Sequence, residues 1–308
     1  MTGIAWKPML AASAVLAAGA ALVAFRPWAD DATAREVLGT MSTGAVTILA
    51  VGDIGRCDEQ VDEATAAIVE TFPESTLLVL GDVAYNSGSP ENFEQCYDPS
   101  WGQFLDRTRP VLGNHEYRTD GANPYFDYFG SVAGEPGKGW YSFELGEWLV
   151  VALNTNCDHV DCSAGSEQES WLRSQLESSG ARCTLAFAHH PRFSSGEHGG
   201  TNDIADLWQA LLDHDVELLL SGHDHNYERT APLDADGTVD PASGVRQFVV
   251  GTGGGNFRDI GPRIEGSEAV QVSTGGVLSM TLHPDGYDWQ FLPVGSGEAL
   301  DTGSADCR

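Results

Sequence analysis

The sequence predicts an α/β fold on two observations. Short apolar runs alternate with amphipathic stretches over the first two thirds of the chain, and several of the runs end in Gly-Asp, Gly-Asn or Gly-His. The last third adds a run of strands and turns without helices, which makes the expected class mixed. Taken in order, Ala45–Val51 reads as a buried strand ending at Gly52-Asp53. Glu59–Phe72 carries apolar positions at helical spacing, and Thr76–Leu80 is a second buried strand ending at Gly81-Asp82. Strand, helix and strand make a βαβ unit with both Asp residues at carboxyl strand ends, where open α/β sheets bind ligands.

Arg109–Leu112 is a short strand leading into Gly113-Asn114-His115-Glu116. Trp140–Leu145 and Trp148–Asn154 flank the two-residue link Gly146-Glu147 and read as a hairpin. Glu167–Ser178 and Asp203–His214 are helices. Cys183–Ala188 is a strand running to His189, and Val216–Leu220 one running to Gly222-His223. Val245–Val250, Gly276–Leu282 and Tyr287–Pro293 complete the strands, with Gly286 in the turn between the last two. No internal repeat and no domain-scale linker follows residue 44. The expected organisation is a linker at 35–44, one catalytic domain at 45–295 and a C-terminal tail at 296–308.

The first 34 residues resemble an export signal. Lys7 supplies a thin positive start, Met9 to Phe25 is apolar, and Ala32-Thr33-Ala34 is an A-x-A cleavage site. The apolar run is short for a spanning helix and long for a signal core, so an uncleaved N-terminal membrane anchor is the alternative. Either way the chain is expected to be secreted or extracytoplasmic. Six cysteines in such a chain read as disulfides, with Cys157–Cys162 the clearest pair. A zinc site is the competing reading, but it lacks any CxxC pair.

The net charge is −29, from 16 Lys+Arg against 45 Asp+Glu. Such a surface repels phosphate backbones and argues against a nucleic-acid partner, although it also serves solubility alone. A small anionic substrate would need local positive charge, and bound metal ions are the natural source.

Five segments share one design: Gly52-Asp53-Ile54-Gly55, Gly81-Asp82-Val83-Ala84-Tyr85, Gly113-Asn114-His115-Glu116, Ala188-His189 and Gly222-His223-Asp224-His225. Each places a metal-competent side chain just past an apolar strand. Glycine-acid turns are common and lone histidines usually lie on the surface, but the ordered set of five is hard to obtain by accident. Phosphate-ester hydrolysis needs hydroxide at neutral pH and positive charge on the phosphoryl oxygens. Two metal ions about 3.5–4 Å apart supply both. Asp82, central in the pattern, is the natural bridge. Imidazoles and an amide oxygen complete the coordination without excess charge. The preceding glycines are expected to let the backbone turn sharply at each strand end.

These segments resemble the calcineurin-like metallophosphoesterase superfamily, and more closely its purple acid phosphatase branch, over about residues 45–293. Most of the superfamily has a histidine two residues after the first Asp. Here Gly55 stands there, and Tyr85 lies three residues after the second Asp, as in purple acid phosphatases. The resemblance implies a four-layer fold, two mixed β-sheets packed face to face with helices outside. It implies a binuclear centre in which Asp53, Tyr85 and His225 bind a ferric ion. Asn114, His189 and His223 would bind a divalent iron, zinc or manganese ion, with Asp82 bridging. It implies hydrolysis of small phosphate monoesters by in-line attack of a metal-bound hydroxide. His115 would touch the substrate phosphate, and His198 would act as general acid, with Glu197 orienting it or sharing its proton. A phosphodiesterase on nucleotides or phospholipid head groups is the runner-up, and a metal-stabilised binding module without turnover is the reading of another class. His190 stands next to a ligand with weaker claims on substrate. His159, His214, His283 and Arg229 read as structural, and Gly251–Gly255 as a turn beneath the site.

Overall fold

The computed structural model describes residues 44–57, 60–295 and 297–308. The export or anchor segment and nearly all of the linker lie outside the described residues. Among the described residues no helix is long and apolar enough to cross a membrane.

The strand–helix alternation forms as expected. β1 (Val46–Val51), α1 (Gln60–Glu70) and β2 (Thr76–Val79) make the βαβ unit. α2 (Pro90–Asn92) is a single turn that continues into a π-helical turn at Phe93–Tyr97. Then follow β3 (Thr108–Pro110), α3 (Asn123–Phe129), β4 (Tyr141–Leu145), β5 (Trp148–Ala152), α4 (Glu167–Ser178) and β6 (Cys183–Phe187). α5 (Ala205–Asp213), β7 (Leu218–Ser221), β8 (Tyr227–Leu233), β9 (Val245–Val250) and β10 (Ser267–Gln271) lead to β11 (Gly276–His283), β12 (Gly286–Pro293) and β13 (Asp301–Asp306).

One sheet has the order β13-β12-β11-β1-β2-β3, the other β10-β8-β9-β7-β6-β5-β4. β1, β2 and β3 run parallel, as do β5, β6, β7 and β9; the outer pairings are antiparallel. Alternate residues of each strand face opposite ways, so each sheet has two apolar faces to bury. Ile48, Ala50, Leu78 and Leu80 meet Val150, Leu185, Phe187 and Leu220 between the sheets. Their neighbours Leu49, Val51, Leu77 and Val79 pack outward against Val69 of α1, Tyr97 and the α3 aromatics. Val151, Ala186 and Leu219 pack against Leu172 of α4 and Leu207 and Trp208 of α5. The result is the expected four layers: helices, sheet, sheet, helices.

The expected C-terminal tail is instead structural. Asp301–Asp306 pairs with β12 as an edge strand, Cys307 is bonded to Cys183, and the Arg308 backbone and guanidinium both donate to Glu217. Its alternating exposure, without any apolar run, is why the pattern hid it. Gly286 likewise opens β12, opposite His283, and Pro284-Asp285 make the turn. Asp301 on β13 accepts from Tyr227, Arg229 and Trp289, tying the first sheet to β8 of the second.

The cysteines pair as Cys57–Cys96, Cys157–Cys162 and Cys183–Cys307. The last closes a separation of 124 residues, worth about 4–5 kcal/mol on loop-entropy grounds.

Candidate metal centre

Every parallel strand of the first sheet, with β6 and β7 of the second, delivers a polar side chain at its carboxyl end. Asp53 follows β1, Asp82 and Tyr85 follow β2, and Asn114 follows β3. His189 follows β6, and His223 and His225 follow β7. The two sheets bring these ends to one place, and all seven expected ligands meet there.

They meet as two sets. In the first, the Tyr85 hydroxyl lies 3.0 Å from Asp53 Oδ1, 3.0 Å from Asp82 Oδ2 and 3.2 Å from His225 Nε2. In the second, Asn114 Oδ1, His189 Nε2 and His223 Nδ1 form a triangle with sides of 3.1, 3.1 and 3.2 Å. Asp82 belongs to both, because its Oδ1 lies 3.5 Å from His189 Nε2.

The donor chemistry fits cations. An ion about 2.1 Å from each donor separates adjacent donors by about 3.0 Å at right angles and about 3.4 Å at tetrahedral angles. These are the separations seen. With the imidazoles neutral, as metal binding requires, hydrogen bonding does not account for all of them. His189 Nδ1 faces the Leu80 carbonyl at 2.8 Å and must donate to it, which leaves Nε2 as a lone pair facing the Asn114 and Asp82 oxygens. His225 Nδ1 donates in the same way to the Asn256 carbonyl, at 3.1 Å, and turns its Nε2 lone pair toward Asp53. A ligating histidine whose other nitrogen is held by a carbonyl is the usual outer support of a metal site.

Electrostatics agree. Burial, then the Asp53 and Asp82 carboxylates, push the Tyr85 hydroxyl well above the ordinary phenol range, so only a strong cation would make it a phenolate. Burial opposes charge on His189, but Asp82 and Asp53 outweigh it and raise that imidazole. Burial also opposes ionisation of Asp53, yet its contact with His225 wins and holds it low. Burial, with His189 and His190 beside it, lowers His223.

The glycines act differently from the expectation. Three of the expected ligands themselves take left-handed backbone, Asp53 (φ 61°), Asp82 (φ 48°) and His223 (φ 71°). Such residues cost about 1–3 kcal/mol each and cluster at functional sites. Of the preceding glycines only Gly81 has a positive φ; Gly113 and Gly222 are needed for clearance. A Cβ on Gly113 would sit 2.1 Å from Asp82 Oδ1, and one on Gly222 would sit 2.7 Å from Asp53 Oδ2. Gly55 has no room for any side chain, since a Cβ would meet the Val83 carbonyl at 2.0 Å. Its own carbonyl accepts the Tyr85 N–H at 3.0 Å, so Gly55 seats the tyrosine. The Gly251–Gly255 turn does lie under the site, since a Cβ on Gly251 would stand 2.7 Å from Asp53 Oδ2.

Around the cage, His115 donates its backbone N–H to Asp82 Oδ1 at 2.8 Å. Its Nδ1 faces the Asn86 carbonyl at 2.7 Å, which leaves Nε2 as an acceptor. Its pKa is lowered by burial and by Arg118, against the pull of Asp82. The His198 ring lies 4.6 Å from that of His223 and lines the same cleft. Glu197 does not orient it: its carboxylate is largely exposed and faces Arg258 at 3.7 Å. The loop is held instead by Asp224, which accepts the His198 N–H at 2.9 Å and the Ser194 hydroxyl. Glu228 accepts the Ser195 N–H at 2.7 Å. Sequence reading missed both carboxylates, and also Glu116, which bonds the N–H groups of Val83 and Gly113. Each stands inside a quoted motif or just beyond it, which was the available signal. His190 is half-buried, bonded to Thr155 at 3.0 Å, and lowered to about 3 by desolvation and His189. His159 stacks on Tyr117, His283 pairs with Asp288, and Arg229 pairs with Asp301, as structural residues should.

The calcineurin-like phosphoesterase family model matches residues 46–227. The chain is similar to an uncharacterized protein of Mycobacterium tuberculosis, 26% identical over 245 residues, which are 64% of this chain and 45% of that one. It is also similar to purple acid phosphatase 17 of Arabidopsis thaliana, 26% identical over 63% of this chain and 66% of the relative. The chain thus spans about half the length of the first relatives it matches. Among solved structures, a purple acid phosphatase from yellow lupin seeds superimposes with a TM-score of 0.70 at 17% identity, over 85% of this chain and 54% of that one. GAP50, the anchor in the inner membrane complex of Plasmodium, gives 0.67 at 18% identity, over 86% and 89%. With its family model matched through the cage up to Tyr227 and its architecture shared, the chain belongs to the calcineurin-like phosphoesterase family, on its purple acid phosphatase-like branch.

Proposed function

We propose that the chain is an exported phosphatase that hydrolyses small phosphate monoesters at a binuclear centre. The observation that supports it most is the pair of donor sets sharing Asp82. Asp53, Tyr85 and His225 would hold a ferric ion, Asn114, His189 and His223 a divalent iron, zinc or manganese ion, and Asp82 would bridge. The ions, when bound, supply hydroxide at neutral pH and offset the charge that develops on the phosphoryl oxygens. Two carboxylates, a phenolate and the hydroxide would bring four negative charges to five positive ones, so the loaded centre would stay net positive toward a phosphate anion.

The chain's own residues do the rest. His115, with Nδ1 engaged by Asn86, presents Nε2 toward the cleft, where it accepts from a water or from a protonated phosphate oxygen. His198 gives a proton to the departing ester oxygen, and Asp224 fixes its backbone so that the ring stays beside His223. Glu197 buffers Arg258 at the rim. Three disulfides support an oxidising compartment. The GAP50 likeness keeps a binding module in view, since that protein carries a similar fold and is described as an anchor; the converged donor set favours an enzyme.

Metal analysis and a visible spectrum, with turnover of phenyl phosphate, test the reading on wild type and Tyr85→Phe. The oxidised wild type should be coloured by phenolate-to-ferric charge transfer, and Tyr85→Phe should bleach it. A colourless protein with both positions filled by divalent ions sinks the ferric assignment. No turnover of any phosphate ester by the fully loaded protein sinks the phosphatase.

A further inference from the structure

Arg56 follows Gly55 directly, and the backbone on each side of it is fixed. The Gly55 N–H donates to the buried Asp62 carboxylate at 2.8 Å, and the Gly55 carbonyl accepts the Tyr85 N–H at 3.0 Å. On the other side Cys57 is bonded to Cys96. The stem of Arg56 lies against the Gly251–Gly255 turn, where a Cβ on Gly254 would stand 2.9 Å from its Cδ and 3.1 Å from its Cγ. Gly254 thus leaves room for the stem. The guanidinium ends over the Tyr85 ring, 4.8 Å from its centroid.

That ring has other neighbours of a different kind. The His115 and His225 rings meet it at 62° and 82°, with centroids 4.3 and 6.3 Å away. Among the described residues Arg56 is the one cation over it. The hydroxyl end of Tyr85 lies among Asp53, Asp82 and His225, the donors of the first set. A guanidinium attracts a neutral ring through its quadrupole, and an anionic ring through a full charge as well. Its effect is therefore largest when Tyr85 is a metal-bound phenolate.

We propose that Arg56 tunes the ferric position through Tyr85: it holds electron density on the ring and makes the phenolate a weaker donor. The ion then keeps more of its positive charge. This rests on the reading of Tyr85 as a ligand of a ferric ion, and it assigns a role to a residue outside both donor sets. Two consequences have a definite sign. Charge transfer moves an electron from the ring, under the guanidinium, to the ion beyond the hydroxyl, so Arg56 raises the energy of the coloured band. One-electron reduction lowers the charge of the ion, and a nearby cation favours the lower charge. Arg56 therefore also makes the ferric ion easier to reduce. An ion that keeps more charge polarises a phosphate oxygen more strongly, which is the use of the arrangement in ester hydrolysis.

The experiment uses the full chain with iron at the ferric position and zinc at the divalent one. Arg56→Gln and Arg56→Met remove the charge, and Arg56→Lys keeps it. No phosphate or ester is present, so a role in substrate binding moves neither readout. Visible spectra of the oxidised proteins come first. The proteins are then equilibrated with a one-electron mediator, the source of the electron, at the potential that leaves the wild type half reduced. Both neutral variants should absorb at longer wavelength. Their ferric-to-ferrous ratio should rise roughly tenfold, the effect of one partly screened unit charge at that range. Arg56→Lys should return both values toward the wild type, while iron content and melting stay the same throughout. A coloured wild type whose band and ratio do not move in a folded neutral variant overturns the inference. So does a shift that Arg56→Lys shares in full, or a loss of fold or iron in both neutral variants, since Arg56 is then structural. A colourless wild type with both positions filled overturns the ferric reading itself, and the inference falls with it.

Discussion

Glu116 is the most exposed point of the reasoning because it has no direct part in chemistry yet sets where two ligand loops lie. Its carboxylate is fully buried. Oε1 accepts the Val83 N–H at 2.9 Å and the Ala84 N–H at 3.4 Å, and Oε2 accepts the Gly113 N–H at 2.8 Å. The loop with Asp82 and Tyr85 is thereby tied to the loop with Asn114. Glu116→Ala leaves at least two buried donors unpaired. At about 1–3 kcal/mol each, the loss is about 2–6 kcal/mol, a large share of a domain's net stability. Glu116→Gln keeps one oxygen and turns an NH₂ on a backbone donor, for a loss of about 2 kcal/mol. Urea unfolding of the metal-free protein reads both values without the contribution of bound ions. Chelator competition on the loaded protein should show affinity weakened roughly 10- to 100-fold, as for other outer supports of metal ligands. A loss below about 1 kcal/mol for Glu116→Ala, or identical values for the two variants, would refute the tethering role.

Two further outcomes follow from the same kind of accounting. Asp62 accepts from Gly55, Trp101 and Ser100, yet burial pushes its carboxyl up to about 6 from 3.8. Because the folded-state value is raised, its protonation favours the fold below about pH 4, and that contribution of about 3 kcal/mol is lost as pH rises through 6. Asp62→Asn keeps an acceptor for Gly55 and Trp101, so its stability advantage should grow from pH 4 to 6 and then level off; denaturant titrations showing a flat difference would exclude this. His198→Ala should lower kcat about 100-fold or more on alkyl phosphates but far less on p-nitrophenyl phosphate, whose leaving group needs no proton; equal losses on both would remove His198 as the acid.

How far the fold was legible depended on where each element puts its polar groups. α4 was readable to the residue because Ser166 caps it, accepting the Glu169 N–H, and an amphipathic run follows. β1, β2, β6 and β9 were readable as apolar runs. β8, Tyr-Glu-Arg-Thr-Ala-Pro-Leu, was not, because it buries Glu228 and Thr230 completely. Their partners, Ser195, Ser267 and Gln247, lie elsewhere in the chain. β13 carries no apolar pattern at all, and its place is decided by the free edge of β12 and by Cys183.

The candidate site divides along the same line. Ligands announce themselves because the metal-competent atom stands directly past an apolar run, so one dimension of sequence suffices. The groups that hold these loops stand in or beside the same motifs, but most of the backbone donors they bond are distant in sequence, so the motif marks their position without showing their role. Residue spacing therefore favours Glu197 as the partner of its neighbour His198. In the fold, the two side chains leave a tight loop in different directions, one toward Arg258 and the other toward His223. Asp224, buried between the expected ligands His223 and His225, reaches under that loop from a turn that His223 enters in left-handed conformation. The strain at His223 thus serves two ends at once, placing a ligand nitrogen beside Asn114 and a carboxylate beneath the expected general acid.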